Sequence, residues 1–217
     1  MLKKEIDPAE NYQNKITNFI LDHEINKKNL NILEFGVREG RSTKMFLDIC
    51  AKNKGKLISV DIDDYSNLYK DNNWTFLKTR DDDYEKVSSK FSGDFDIILI
   101  DSLHEPNHVS KLIYTYWKHL KPNGSMYIDD ISWLPYLKNS WRDHEYTENI
   151  NRDTFNKILE IQLSNFNNIN LTFNFSGSGM CRIVKVNNNE LNKPKLLKPR
   201  NLFLKKILKK IFPFKKV

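Results

Sequence analysis

Residues 95–101 read Phe-Asp-Ile-Ile-Leu-Ile-Asp, the most apolar strand-like run in the chain. Successive side chains of a strand point to opposite faces, so a run this apolar must be covered on both sides. That demand is met inside a parallel sheet with helices packed on each face. The rest of the sequence supplies both parts. Residues 31–35, 56–61, 74–77 and 125–128 are expected to be further strands, with a turn at 121–124 before the last. Apolar residues at helical spacing predict helices over 8–28 (Ile16, Phe19, Ile20, Ile25), 42–52 (Met45, Phe46, Ile49), 84–91, 108–120 and 153–166 (Phe155, Ile158, Leu159, Leu163). Ser176-Gly177-Ser178-Gly179 joins two last strands, 169–175 and 180–186, as a hairpin. The expected architecture is α/β: a seven-stranded, mostly parallel sheet with an antiparallel C-terminal hairpin and helices on both faces.

The first strand runs into Glu34-Phe35-Gly36-Val37-Arg38-Glu39-Gly40-Arg41-Ser42, which opens a helix. Glycine lets the backbone turn tightly and approach a ligand, and the helix start behind it offers free N–H groups to an anion. The spacing is not Gly-x-Gly-x-x-Gly, which turns the reading away from NAD. Asp61 closes the second strand, and a carboxylate there can accept hydrogen bonds from the two ribose hydroxyls of an adenosine ligand. By itself each feature has a bland counterpart: a glycine-rich turn, or an Asp capping the next turn.

The chain carries a net charge of +7, but ten Lys/Arg and no acid fall in residues 193–217, leaving −3 for residues 1–192. An acidic body with a basic tail argues against a nucleic-acid-coated enzyme and gives the tail a separate task. The cysteines, Cys50 and Cys181, offer neither a zinc knuckle nor a disulfide framework and are expected as reduced, buried thiols. With no apolar run of signal or membrane-spanning length, a cytoplasmic protein is expected.

Taken in order, Glu34 to Ser42, Val60-Asp61, Ile100-Asp101-Ser102-Leu103-His104, Leu120-Lys121-Pro122-Asn123-Gly124 and Ile128-Asp129-Asp130 resemble the class I methyltransferases, with their Rossmann-like sheet. More narrowly the set is similar to the family-24 group that includes macrolide-sugar O-methyltransferases and cephalosporin hydroxylase-like proteins. The resemblance spans roughly residues 30–186. It implies S-adenosylmethionine as cofactor, with Glu34, Gly36, Gly40 and Ser42 at its methionine end and Asp61 on the ribose. Asp81 or Asp82 would approach the adenine, and Asp101 the reacting end.

Asp101, Asp129 and Asp130 should converge at the carboxyl edge of the sheet. Three carboxylates so close repel one another, so a cation or protons must relieve them. Hard oxygen ligands suit Mg²⁺, and metal-dependent O-methyltransferases resemble this arrangement. A bound divalent ion would lower the pKa of an acceptor hydroxyl. His104 is a candidate general base, acting with Asp101 as the catalytic pair. The position after the fourth strand lacks the Asn/Asp-Pro-Pro-aromatic run of amino-directed methyltransferases, which favours an oxygen acceptor.

Residues 131–150 form an insertion rich in large side chains, and Trp133, Tyr136, Trp141 and Arg142 are the expected substrate contacts. A local hydrophobic cluster is the alternative. In the tail, Leu204, Ile207, Leu208, Ile211 and Phe212 share one arc of about 140° on a helical wheel, opposite Lys205, Lys206, Lys209 and Lys210. Such a helix, over residues 200–214, suits an anionic membrane surface at the inner membrane face, or docks on the enzyme body or on a second copy in a homo-oligomer. The domain plan is thus a helical cap (1–29), a methyltransferase domain (30–187) and a basic linker with an amphipathic helix (188–217). The expected activity is metal-assisted O-methylation of a saccharide or glycan-like hydroxyl. A small phenolic acceptor, or a non-catalytic membrane-associated scaffold, is the alternative.

Overall fold

The computed structural model of the chain describes residues 17–133 and 144–197. Expected helical residues 8–16, the loop residues Tyr136, Trp141 and Arg142, and the amphipathic tail helix lie outside the described residues.

Seven strands form one sheet: β1 (Asn31–Phe35), β2 (Lys56–Asp61), β3 (Trp74–Lys78), β4 (Phe95–Ile100), β5 (Leu120–Asp129), β6 (Ile169–Asn174) and β7 (Met180–Lys185), in the order β3-β2-β1-β4-β5-β7-β6. β1 to β5 are mutually parallel, and β7 slots antiparallel between β5 and β6. The helices are α1 (17–24), α2 (Arg41–Asn53), α3 (Tyr84–Ser88), α4 (Pro106–Tyr116) and α5 (Glu145–Ser164), with a 3₁₀ turn at Trp117–His119.

The alternation of side chains along β4 divides the core in two. Ile98 and Ile100, with Leu33 and Phe35 of β1, face α3, α4 and α5, where Val87, Val109, Ile113, Ile158 and Ile161 cover them. Ile97 and Leu99, with Ile32, face α1 and α2, covered by Ile20, Met45, Phe46 and Ile49. Each fully buried Leu, Ile or Phe contributes about 1.5–3 kcal/mol of apolar transfer. Cys50 and Cys181 are free and buried, one in each layer. α1 is also held by a charge: buried Glu24 accepts hydrogen bonds from Ser125 Oγ and Tyr127 Oη, each at 2.7 Å, and pairs with Lys27 at 2.6 Å.

The largest departures from the sequence expectation are at β5 and at the starts of α4 and α5; α3 and α4 also end early, at Ser88 and Tyr116. The expected turn at 121–124 lies inside β5: Leu120 pairs with Phe95, the next pair is Ser125 with Ile97, and the four residues between bulge out through Asn123 at φ +62°. α4 starts two residues earlier than expected because Pro106 occupies its first turn, where a missing N–H costs nothing. α5 starts at Glu145, eight residues early, capped by the His144 side chain and with Glu145 and Glu148 complementing the dipole in its first turn.

The order of strand addition reverses at β1: β2 and β3 are added on one side, and β4 and β5 on the other. Ligands in open α/β sheets bind in the crevice at that switch point, beyond the carboxyl ends of the strands. The glycine loop, Asp61 and Asp101 all follow strands ending there.

Candidate functional site

Gly36 turns the chain out of β1 at φ +94°, and a Cβ there would sit 1.8 Å from the Asp101 carbonyl oxygen. The Gly36 amide donates to the Val60 carbonyl at 2.9 Å, and the Asp101 amide donates to the Phe35 carbonyl at 2.9 Å. The ends of β1, β2 and β4 are therefore stitched together at one rim. Beyond Gly36, the Val37 amide donates to Asp61 Oδ2 at 2.7 Å and the Arg38 amide to the same oxygen at 3.3 Å. Asp61 Oδ1 accepts from the Asp63 amide at 3.0 Å. A carboxylate has about four lone-pair sites, so Asp61 keeps acceptor capacity while it clamps the loop. Gly40, at φ +74°, caps α2 without a side-chain hydrogen bond.

Glu34, expected beside the cofactor, is fully buried. It accepts hydrogen bonds from Ser42 Oγ (2.6 Å), Thr43 Oγ1 (2.8 Å) and Ser59 Oγ (2.6 Å). Its carboxyl braces the start of α2 against β2 from beneath the loop, and Ser42 is one of the struts. Burial pushes its pKa up to about 7 despite the three hydroxyl donors.

The acids after β3 are committed to protein partners. Asp81 Oδ2 accepts from Ser102 Oγ and from His108 Nε2 (2.9 Å), while Tyr116 Oη holds the Asp81 carbonyl at 2.8 Å. Asp82 pairs with Arg80 (2.8 Å) and Lys111 (2.9 Å), and these hydrogen bonds, Arg80 first, hold its carboxyl well below the usual range. An open surface hollow of about 400 Å³ is lined by Ile62, Lys78, Thr79, Arg80, Asp83 and Lys86, beside the ends of β2 and β3. Ile62, directly after Asp61, is 64% exposed at its edge. Sequence reasoning missed it; a large aliphatic residue right after a strand-closing acid was the available signal.

Asp101, His104 and Asp130 come together on the other side. His104 Nε2 lies 3.5 Å from Asp101 Oδ1 and 3.5 Å from Asp130 Oδ2, with the imidazole 26% exposed and the two carboxylates about a third exposed (35% and 29%). Burial first, then the charges of Asp129 and Asp130, raises the Asp101 carboxyl well above its ordinary range. Asp129 accepts a hydrogen bond from Ser178 Oγ at 3.2 Å. Among the described residues no three His, Cys, Asp or Glu side chains are grouped to hold a metal ion. The expected ligand set of Asp101, Asp129 and Asp130 is not assembled as one: Asp129 leans on the hairpin, and the His104 imidazole lies between the other two.

Trp133 is 38% exposed beyond β5 and packs edge-on to Phe155 of α5 at 6.3 Å, which in turn lies tilted against Phe175 at 5.9 Å. The described part of this region forms a local aromatic cluster that leaves Trp133 and Phe175 partly exposed. No described helix is long and apolar enough to cross a membrane.

Comparison with known proteins places this site in context. A family described as a methyltransferase domain matches residues 33–131. No curated protein matches the chain. Among solved structures, the MycE methyltransferase of the mycinamycin biosynthetic pathway, in complex with Mg and SAH, is similar at 21% identity and a TM-score of 0.58, over 85% of this chain and 52% of that one. The chain thus spans about half the length of MycE. A putative caffeoyl-CoA O-methyltransferase from Staphylococcus aureus is similar at 16% identity and a TM-score of 0.58, over 79% of this chain and 81% of that one. The O-methyltransferase from Bacillus cereus in complex with SAH is similar at 16% identity and a TM-score of 0.55, over 84% and 83%. These likenesses establish the shared fold.

Proposed function

We propose that the protein, whose residues 33–131 match a family described as a methyltransferase domain, transfers a methyl group from S-adenosylmethionine to a hydroxyl of a saccharide or glycan-like acceptor. The observation that carries the donor half is the clasp between the glycine loop and Asp61. It brings a sharp glycine turn, an open helix start and a strand-closing carboxylate to one rim, the chemistry needed for the aminocarboxylate and ribose of an adenosyl donor. Ile62 and the adjoining hollow would take the base. The acceptor half rests on His104, held between two carboxylates, and on the oxygen-directed structures that share the fold.

In the proposed reaction the acceptor oxygen attacks the methyl carbon in line. The carbon–sulfur bond breaks, its electron pair stays on sulfur as S-adenosylhomocysteine, and the hydroxyl proton passes to His104 Nε2. Asp101 and Asp130 then face the imidazolium and stabilise it. Trp133 offers a ring face against which the apolar side of a sugar packs.

MycE is described with Mg, and three carboxylates are the hard donors that such an ion takes. As placed here they do not make a ligand set: among the described residues no three such side chains are grouped to hold an ion, and Asp101 and Asp130 each face His104 Nε2 at 3.5 Å. No step of the proposed reaction is routed through a metal.

The test is incubation with methyl-labelled S-adenosylmethionine and two simple acceptors, an alkyl glycoside and catechol, each with EDTA and with added Mg²⁺. Label in the glycoside supports the reading. Label in catechol alone moves the acceptor class to phenols, and label in neither overturns the proposal.

A further inference from the structure

Of the three buried polar side chains of α5, Glu160 pairs with Lys157 and the Leu197 amide, while Asn151 and Thr154 each reach a loop of the reactive cluster. Thr154 is fully buried and donates from Oγ1 to the His104 carbonyl at 3.0 Å. Asn151, 1% exposed and three residues earlier on the same helix face, donates from Nδ2 to the Ser132 carbonyl at 2.9 Å. The same helix buries Ile158 and Ile161 further along; aliphatic residues at 151 and 154 would continue that stripe but would take the donors from the His104 and Ser132 carbonyls. The two side chains therefore serve the loops rather than the apolar core.

Asp130 supplies one. It sits at φ +57°, the left-handed region that Asp tolerates but does not prefer. That turn brings its carboxylate to His104. The chain after it is fixed against the hairpin, with the Ile131 amide donating to the Gly179 carbonyl (3.3 Å) and the Ser132 amide to the Ser178 carbonyl (2.6 Å). Asn151 takes the opposite side of the same segment, at the Ser132 carbonyl. One helix thus grips the loop bearing His104 and the loop bearing Asp130 through side chains about 5–6 Å apart at their Cβ atoms.

We propose that Thr154 and Asn151 are positioning residues that set the spacing of His104 and Asp130. The use of that spacing in proton removal rests on the methyl-transfer reading above; the spacing itself does not. Losing the Thr154 bond loosens the His104 loop, and losing the Asn151 bond leaves the Asp130 segment with only its hairpin contacts; either change shifts the imidazole relative to the carboxylate.

The test is NMR of the full chain with labelled histidine rings, at one pH and without donor or acceptor, the His104 signal being assigned with His104→Gln. In the native background Asp130→Asn should displace the His104 ring resonance, since the groups touch. Thr154→Val should move that resonance and abolish its response to Asp130→Asn, and Thr154→Ser, which keeps the hydroxyl, should restore both. Asn151→Leu should produce the same loss from the other loop, and serves alone if Thr154→Val fails to melt cooperatively. A His104 signal that responds to Asp130→Asn equally in folded Thr154→Val or Asn151→Leu overturns the proposal. Because no cofactor is present, that result is distinct from a failure to bind the methyl donor, which would count against the methyltransferase reading alone.

Discussion

The amide of Val37 and Oδ2 of Asp61 lie 2.7 Å apart, although 24 residues separate them in the chain. The bond ties the loop leaving β1 to the end of β2, and the Gly36 amide on the Val60 carbonyl reinforces it one residue earlier. The glycine turn and the acid are thereby parts of one structure at one rim of the crevice. The proposed donor site is built on that link.

Replacing Gly36 by Ala tests how tightly the rim is made. The residue is at φ +94°, and the added methyl would overlap the Asp101 carbonyl, so the backbone of β1 or β4 must shift. A loss of at least about 3 kcal/mol is expected from strain and displaced packing. Urea unfolding checks it; a midpoint equal to the native one would mean that the two strand ends are not in contact.

Glu34 gives a pH signature. Burial raises its pKa from 4.5 to about 7, so the folded chain holds this proton where the unfolded chain has released it. The associated stability is complete below about pH 4.5 and is lost as pH rises through 7. Glu34→Gln keeps the shape of the protonated form and should remove this slope. Relative to native protein, the variant should gain about 3 kcal/mol between pH 4.5 and 8. Urea midpoints measured across that interval give the difference directly, and a constant difference would show that Glu34 is charged in the fold.

His104→Gln should lower the rate of methyl transfer to the acceptor by about 100-fold or more, the usual range for loss of a general base. Donor affinity should stay as in the native protein, because His104 lies on the Asp101–Asp130 side of the crevice and not on the Asp61 side. Single-turnover rates combined with calorimetry separate the two effects. Equal loss of both would place His104 in the donor site instead.

The basic tail carries a prediction of its own, argued from its sequence. Vesicles containing anionic lipid should pellet the full chain, and removal of residues 196–217 should abolish this. Raising the salt should weaken the binding, as the lysine contribution is screened. Binding that survives the truncation would assign the contact to the body of the protein.

Much of the fold was legible because its signals are local. The buried run of β4 and the glycines of the Ser176–Gly179 hairpin each announce one element, and the strands fall within a residue or two of where periodicity puts them, apart from β5. The misreadings are equally specific. Lys121–Gly124 carries turn chemistry, and it does turn, but as a bulge that keeps pairing on both sides, with Lys121 Nζ on Asp96 Oδ2 at 2.8 Å across it. The first two turns of α5 lack an apolar stripe, so Asn151 and its reach to Ser132 were invisible. At the site, sequence order identified which strand ends carry acids but not where the carboxylates point. Glu34 turns beneath the loop, Asp81 turns to His108, and Asp130 meets His104 only through a left-handed residue, a backbone choice that no spacing rule encodes.

The most direct test of the whole account is calorimetric titration of the native chain and of Asp61→Ala with S-adenosylmethionine. Saturable binding to the native protein and none to the variant is the predicted result, since both the loop clamp and the ribose acceptor are removed together. Equal affinity in the two proteins, with both folded, would contradict the assignment of this rim as the donor site.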